Sequence, residues 1–174
     1  ACWTPNLNCG GDALACGGPT SYPANFPHAP LVDVQYPAAL ANALHGVDLD
    51  PNRAEIALRF KSDVAWSFAT TRRGVAGEDF VAVALHELAH GLGFTGNLYE
   101  DYSVGFCGTG PLGFLYPCPT PYDWFTLGSD HIALLSYLPA NPYALAAHLD
   151  SDANFGGPNA AAAHGGLVKL FTPP

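Results

Sequence analysis

The 174-residue chain contains no methionine and only six lysines and arginines. A chain without an initiator residue is expected to be a processed product or a piece of a longer precursor. Six basic residues against 15 acidic ones leave a formal charge of −9. That balance cannot neutralise a phosphate backbone or hold an anionic membrane surface, so neither nucleic acid nor membrane is an expected partner. No apolar run approaches the roughly 18–20 residues that a membrane helix needs. Charged residues are scarce at 12%, while hydrophobic ones reach 49%. Such a composition can build a sizeable core, and the length suits one domain spanning residues 1–174.

The five cysteines form two groups, Cys2, Cys9 and Cys16 near the start and Cys107 and Cys118 farther on. Each lies among Gly, Pro and Asn residues, the setting of stapled loops in an oxidising compartment, which predicts secretion. Cys107 with Cys118 is the expected bridge, and one of the other three is left over or pairs with a residue absent from this chain. Residues 1–31, rich in Gly, Pro and Cys, show no apolar period and read as irregular.

Periodicity organises the rest. Tyr36 to His45 reads as a short helix, with Pro37 at its first position and Gly46 after its end. Residues 54–61 alternate, with Ile56, Leu58 and Phe60 on one face, which predicts a half-exposed edge strand. Asp79 to Phe94 carries apolar residues at 81, 84, 85, 88 and 92, a helical spacing, with Glu78 and Asp79 at the helix's positive end. A long Gly/Pro/Tyr-rich loop follows from 95 to 121. Helical character returns over 122–138 and 141–148, and LVKLF near the end reads as a strand.

The chemistry concentrates in HELAH. His86 and His90 stand four apart on the expected helix, so both imidazoles leave one face and can bind one zinc ion at roughly 2.0–2.1 Å. Glu87 flanks that face and can accept a proton from a water at the metal's open position. Two fixed histidines with an adjacent carboxylate are what metal-assisted peptide hydrolysis requires. A polar-face reading of the two histidines fits poorly with small or apolar Ala82, Val83, Ala89 and Gly93 around them. Gly91 and Gly93 weaken a helix and suggest a sharp turn beneath a site.

HELAHGLGF resembles the HExxHxxGF zinc helix of the leishmanolysin-like peptidases, a metzincin family. The order of YPAALANAL, a strand, the zinc helix, Tyr122-Asp123-Trp124-Phe125 and GGLVKLFTPP is similar to that of secreted bacterial members. The resemblance covers most of the chain from about residue 30. It implies an α+β, metzincin-like fold, a mixed twisted sheet packed on the zinc helix with a mostly helical or irregular C-terminal half. It also implies zinc on His86 and His90, Glu87 as general base and Gly93 as the turn glycine.

Two departures stand out. The common metzincin third ligand falls six residues after the second histidine, where this chain has Gly96, and the methionine of the turn below the metal is missing. In the leishmanolysin-like group the third histidine follows a segment like LVKLFTPP, so it is expected either beyond this chain or among His148, His164 and His131. Glu100 and Asp101 are weaker candidates. Tyr99, Tyr102 and Tyr116 are candidate donors to a tetrahedral oxyanion. Strand 54–61 is a candidate for aligning an extended substrate, and a thiolate from Cys16 is a candidate zinc cap. The sequence thus predicts a secreted zinc endopeptidase acting on protein or peptide. The rival is a non-catalytic extracellular module that keeps a structural or adhesive zinc site.

Overall fold

The computed structural model of the chain describes residues 1–7, 12–70, 76–98, 106–109, 115–117, 119–137, 145, 147–149 and 153–170. Short helices and small sheets alternate along it in an α+β arrangement. Two compact units emerge, Ala1–Ala29 with Tyr36–Thr95, and Pro30–Gln35 with Gly96–Pro174. Among the described residues no helix is long and apolar enough to cross a membrane.

The first unit is built on a three-stranded sheet. Strand β1 (Cys2–Thr4) runs parallel to β3 (Ile56–Lys61), and β2 (Ala15–Pro19) runs antiparallel on its other side, with Ala15 opposite Phe60 and Pro19 opposite Ile56. The segment expected to be irregular therefore supplies two strands. Its glycines had hidden β2, although neither makes a turn and Gly17 answers to the approach of a helix. Strand β3 is also central and not an edge. Its alternation is real, with Phe60 buried and Ala57 and Arg59 exposed, but a period of two reports which face is covered and says nothing about neighbours in the hydrogen-bonding direction. Paired on both sides, β3 has no edge to offer an extended peptide.

Helix α1 (Ala38–His45) starts after Pro37 and ends at Gly46, whose φ of +86° only glycine adopts freely. A short parallel pair, β4 (Trp66–Ser67) and β5 (Glu78–Asp79), leads into α2 (Phe80–Leu92). The start of α2 is held by aromatic packing. Phe80 lies 4.9 Å from Phe60 and 5.6 Å from both Trp3 and Trp66, centroid to centroid, and Trp66 Nε1 donates to the Lys61 carbonyl at 2.7 Å. Aromatic pairs at such distances stabilise beyond their buried area.

In the second unit, β6 (Phe106–Thr109) and β7 (Leu115–Pro117) pair antiparallel inside the segment expected to be loop. The long helix expected over 122–138 is instead α3 (Pro121–Trp124), β8 (Thr126–Leu127) and a 3₁₀ turn at Leu134–Tyr137. The helix stops at its cap residue Phe125, ahead of Gly128, where a Cβ would lie 2.8 Å from the Asp130 carboxylate and from the His148 ring. Strands β9 (Asn154–Phe155) and β10 (Val168–Lys169) join β8 in an antiparallel sheet of order β10-β9-β8. Helix α4 (Pro158–His164) lies between them in the chain, with Pro158 in its first turn and Gly165 at φ +83° after its end. Residues 145 and 147–149 are helical, in line with the expected 141–148 helix, whose residues 141–144 and 146 lie outside the described set. The core gathers Leu134, Leu145 and Ala153.

Asp123 pins this unit. It is 1% exposed, and its carboxylate accepts from the Thr120 amide at 2.7 Å, the Thr120 hydroxyl at 2.9 Å and the Asn97 amide at 3.0 Å. Burial pushes its carboxyl above the ordinary value, with hydrogen bonds from Thr120, Asn97 and Leu98 opposing. A carboxyl raised on folding holds its proton more tightly folded than unfolded. Its contribution to stability is therefore full below the ordinary value and declines as pH rises through the folded one. Asp123→Ala is expected to cost about 3 kcal/mol or more at neutral pH, since three buried donors lose their acceptor. The variant should also lack this component of the pH dependence, and urea denaturation across the acid range would measure both.

Candidate metal centre

Helix α2 begins where Asp79 caps it, its side chain accepting the Ala82 amide at 3.0 Å. It ends at Gly93, whose φ of +120° lets the chain turn back. These bounds match the periodicity of the sequence, but the covered face does not follow the apolar stripe. Val81, Leu85, Leu88 and Leu92 are exposed, while Glu87 and Gly91 are the buried residues of the helix. The sheet meets α2 across Glu87 and Gly91. A Cβ on Gly91 would lie 2.4 Å from Ile56 Cγ2, so Gly91 serves close packing, and only Gly93 makes the turn.

That turn matters for the histidines. It brings the Phe94 carbonyl to His90 Nδ1 at 2.8 Å. A carbonyl only accepts, so Nδ1 carries the proton and the neutral ring offers Nε2 as a lone pair, the arrangement that orients a metal-binding imidazole. His86 Nε2 stands 3.0 Å from His90 Nε2, with the rings nearly perpendicular at 87°. Two nitrogens so spaced can both lie roughly 2.0–2.1 Å from one zinc ion, subtending about 95° at it, and a small rotation opens this to a tetrahedral angle. The pair therefore fits half of a zinc site.

Glu87 lies between them in sequence and is 9% exposed. Together with His86 it borders a groove of about 430 Å³ whose other walls are Ala13, Leu14, Ala15, Ala82 and Val83. The residues from 13 to 15 had no functional signal in the sequence. They reach the site only because β2 pairs with β3 and lies over α2.

The remaining candidates are placed as follows. Among the described residues no group of three or more His, Cys, Asp or Glu side chains is gathered that could hold a metal ion. His131, His148 and His164 belong to the second unit. There His148 stacks on Tyr137 at 5.1 Å and stands 3.9 Å from the Asp130 carboxylate, His131 adopts φ +65° in the turn after Asp130, and His164 ends α4, exposed. Tyr99, Glu100, Asp101 and Tyr102 lie outside the described residues, as do Cys9 and Cys118 and hence the expected Cys107–Cys118 bridge; Tyr116 lies on β7. Cys16 is disulfide-bonded, which removes it as a thiolate cap for zinc. Cys2, exposed on β1, is a free thiol. A scan against protein-family models, a search of curated proteins and a search of solved structures returned no match.

Proposed function

We propose that this chain is a secreted zinc-dependent endopeptidase domain, working as the leishmanolysin-like peptidases that its HELAHGLGF segment resembles. One observation carries the reading. The Nε2 atoms of His86 and His90 converge to 3.0 Å with the proton of His90 held on Nδ1 by Phe94, beside a carboxylate that borders an open groove. Zinc, when bound, supplies a Lewis acid that makes water acidic enough to attack near neutral pH. His86 and His90 would hold it. Glu87 takes the proton of the attacking water on its carboxylate and delivers it to the leaving amine nitrogen, which lets the peptide bond break without expelling an amide anion. The groove favours an uncharged, apolar side chain next to the scissile bond, because Ala13, Leu14, Ala15, Ala82 and Val83 offer no polar side-chain partner.

The absence of a three-residue ligand cluster among the described residues favours a second reading, a non-catalytic extracellular module holding zinc through His86 and His90. The two separate in one experiment. The endopeptidase is expected to take up about one zinc per chain, to cleave casein, to stop when a chelator removes the metal and to resume when zinc returns. Zinc uptake with no cleavage selects the module, and no uptake ends both readings.

A further inference from the structure

Two glycines stand side by side on β2 in opposite surroundings. A Cβ on Gly17 would lie 2.6 Å from Glu87 Cβ, 2.7 Å from the Glu87 carbonyl oxygen and 2.7 Å from Leu58 Cδ2, whereas one on Gly18 would meet nothing within 4 Å. Neither glycine has a positive φ, so Gly17 is required for space and not for backbone freedom. Successive residues of a strand face opposite ways. Gly17 faces α2, and Gly18 faces away from it.

The identity of the crowding atoms decides the consequence. Leu58 Cδ2 ends a flexible side chain and can rotate aside. Glu87 Cβ and its carbonyl oxygen are fixed by the helix and cannot. Carbon atoms rest at roughly 3.5–4.0 Å, so any side chain at position 17 must push β2 and the Glu87 turn of α2 apart by about 1 Å. We propose that Gly17 is a positioning residue for Glu87. Its bare backbone sets how deeply β2 seats over α2, and so how far Glu87 stands from Ala13 to Ala15, the facing wall of the groove in which a substrate would lie. This rests on the endopeptidase reading. A displacement of about 1 Å is enough to lower a rate by roughly 100-fold, because Glu87 must stand within hydrogen-bond reach of the leaving nitrogen of a substrate held against that wall.

The test compares zinc content, kcat and KM on a quenched fluorescent peptide for wild type, Gly17→Ala, Gly18→Ala, Glu87→Gln and the Gly17→Ala/Glu87→Gln double variant. Gly17→Ala is expected to keep its zinc and its KM within a few-fold and to lose about 100-fold in kcat. Gly18→Ala should match wild type. The double variant should be no slower than Glu87→Gln alone, because a residue acting through Glu87 has nothing left to position. Wild-type kcat in Gly17→Ala, an equal loss in Gly18→Ala, or a further 100-fold fall in the double variant would each overturn the proposal. If Gly17→Ala does not fold, Leu58→Ala is added to relieve the movable contact: a folded protein with low kcat supports the proposal, and restored kcat overturns it. A zinc-loaded wild type that cleaves nothing removes the endopeptidase reading itself, and this inference with it.

Discussion

Glu87→Gln is expected to bind zinc as the parent chain does, to melt at nearly the same temperature, and to hydrolyse peptide about 10²–10⁴-fold more slowly, the range that a positioned acid–base group contributes. The amide has the shape of the carboxylate, so the close approach of Gly17 to Glu87 Cβ and to its carbonyl is untouched and β2 keeps its seat. His90 keeps its bond to Phe94, and both Nε2 atoms remain available. What changes is the ability to take a proton. The measurement is kcat at saturating peptide, with metal content and circular dichroism taken on the same preparation. Equal rates in the two proteins would mean that Glu87 is not the base. A loss of both zinc and fold would mean that Glu87, 9% exposed beneath β2, is chiefly a structural residue.

The parts of this site that were legible in the sequence are those whose cause is local. Asp79, the four-residue spacing of His86 and His90, and Gly93 with its φ of +120° act within one helix, and neighbouring residues state them directly. The groove was not legible, because its walls come from two elements about 70 residues apart in the chain, Ala13 to Ala15 and Ala82 to Glu87. Strand β2 was hidden for a related reason. Glycine in sequence signals a turn far more often than a strand, and the crowding that calls for Gly17 exists only once Glu87 is packed against it. The apolar stripe of α2 identified the helix yet not its covered face, since the sheet approaches across Gly91 and Glu87. In the second unit the expected long helix over 122–138 ends at Phe125 and gives way to β8, whose partner β9 is distant in the chain and leaves no mark on local periodicity. Tyr122 and Asp123 kept their helical turn because Thr120 and Asp123 cap each other across three residues, a signal that can be read without the fold.

Zinc is expected to raise the thermal midpoint of the parent chain and of Glu87→Gln, and to leave those of His86→Ala and His90→Ala unchanged. A ligand that binds only the folded chain stabilises it by mass action, by about 4 kcal/mol when present at 1,000 times its dissociation constant. Removing either imidazole leaves one nitrogen where two now stand 3.0 Å apart, and a single histidine cannot hold the ion against solvent. Zinc content should fall from about one per chain to nearly none. Peptide hydrolysis should fall at least as far as in Glu87→Gln, because without the metal the base has no acidified water to act on. The two histidines should differ in one respect. His90→Ala also frees the Phe94 carbonyl that now accepts from Nδ1, so its metal-free stability should drop by about 1 kcal/mol below that of His86→Ala, the net worth of a typical hydrogen bond. Thermal melts with and without zinc read both effects in one series. A double His86→Ala/His90→Ala variant that still took up one zinc per chain would place the metal elsewhere and end the assignment of this helix.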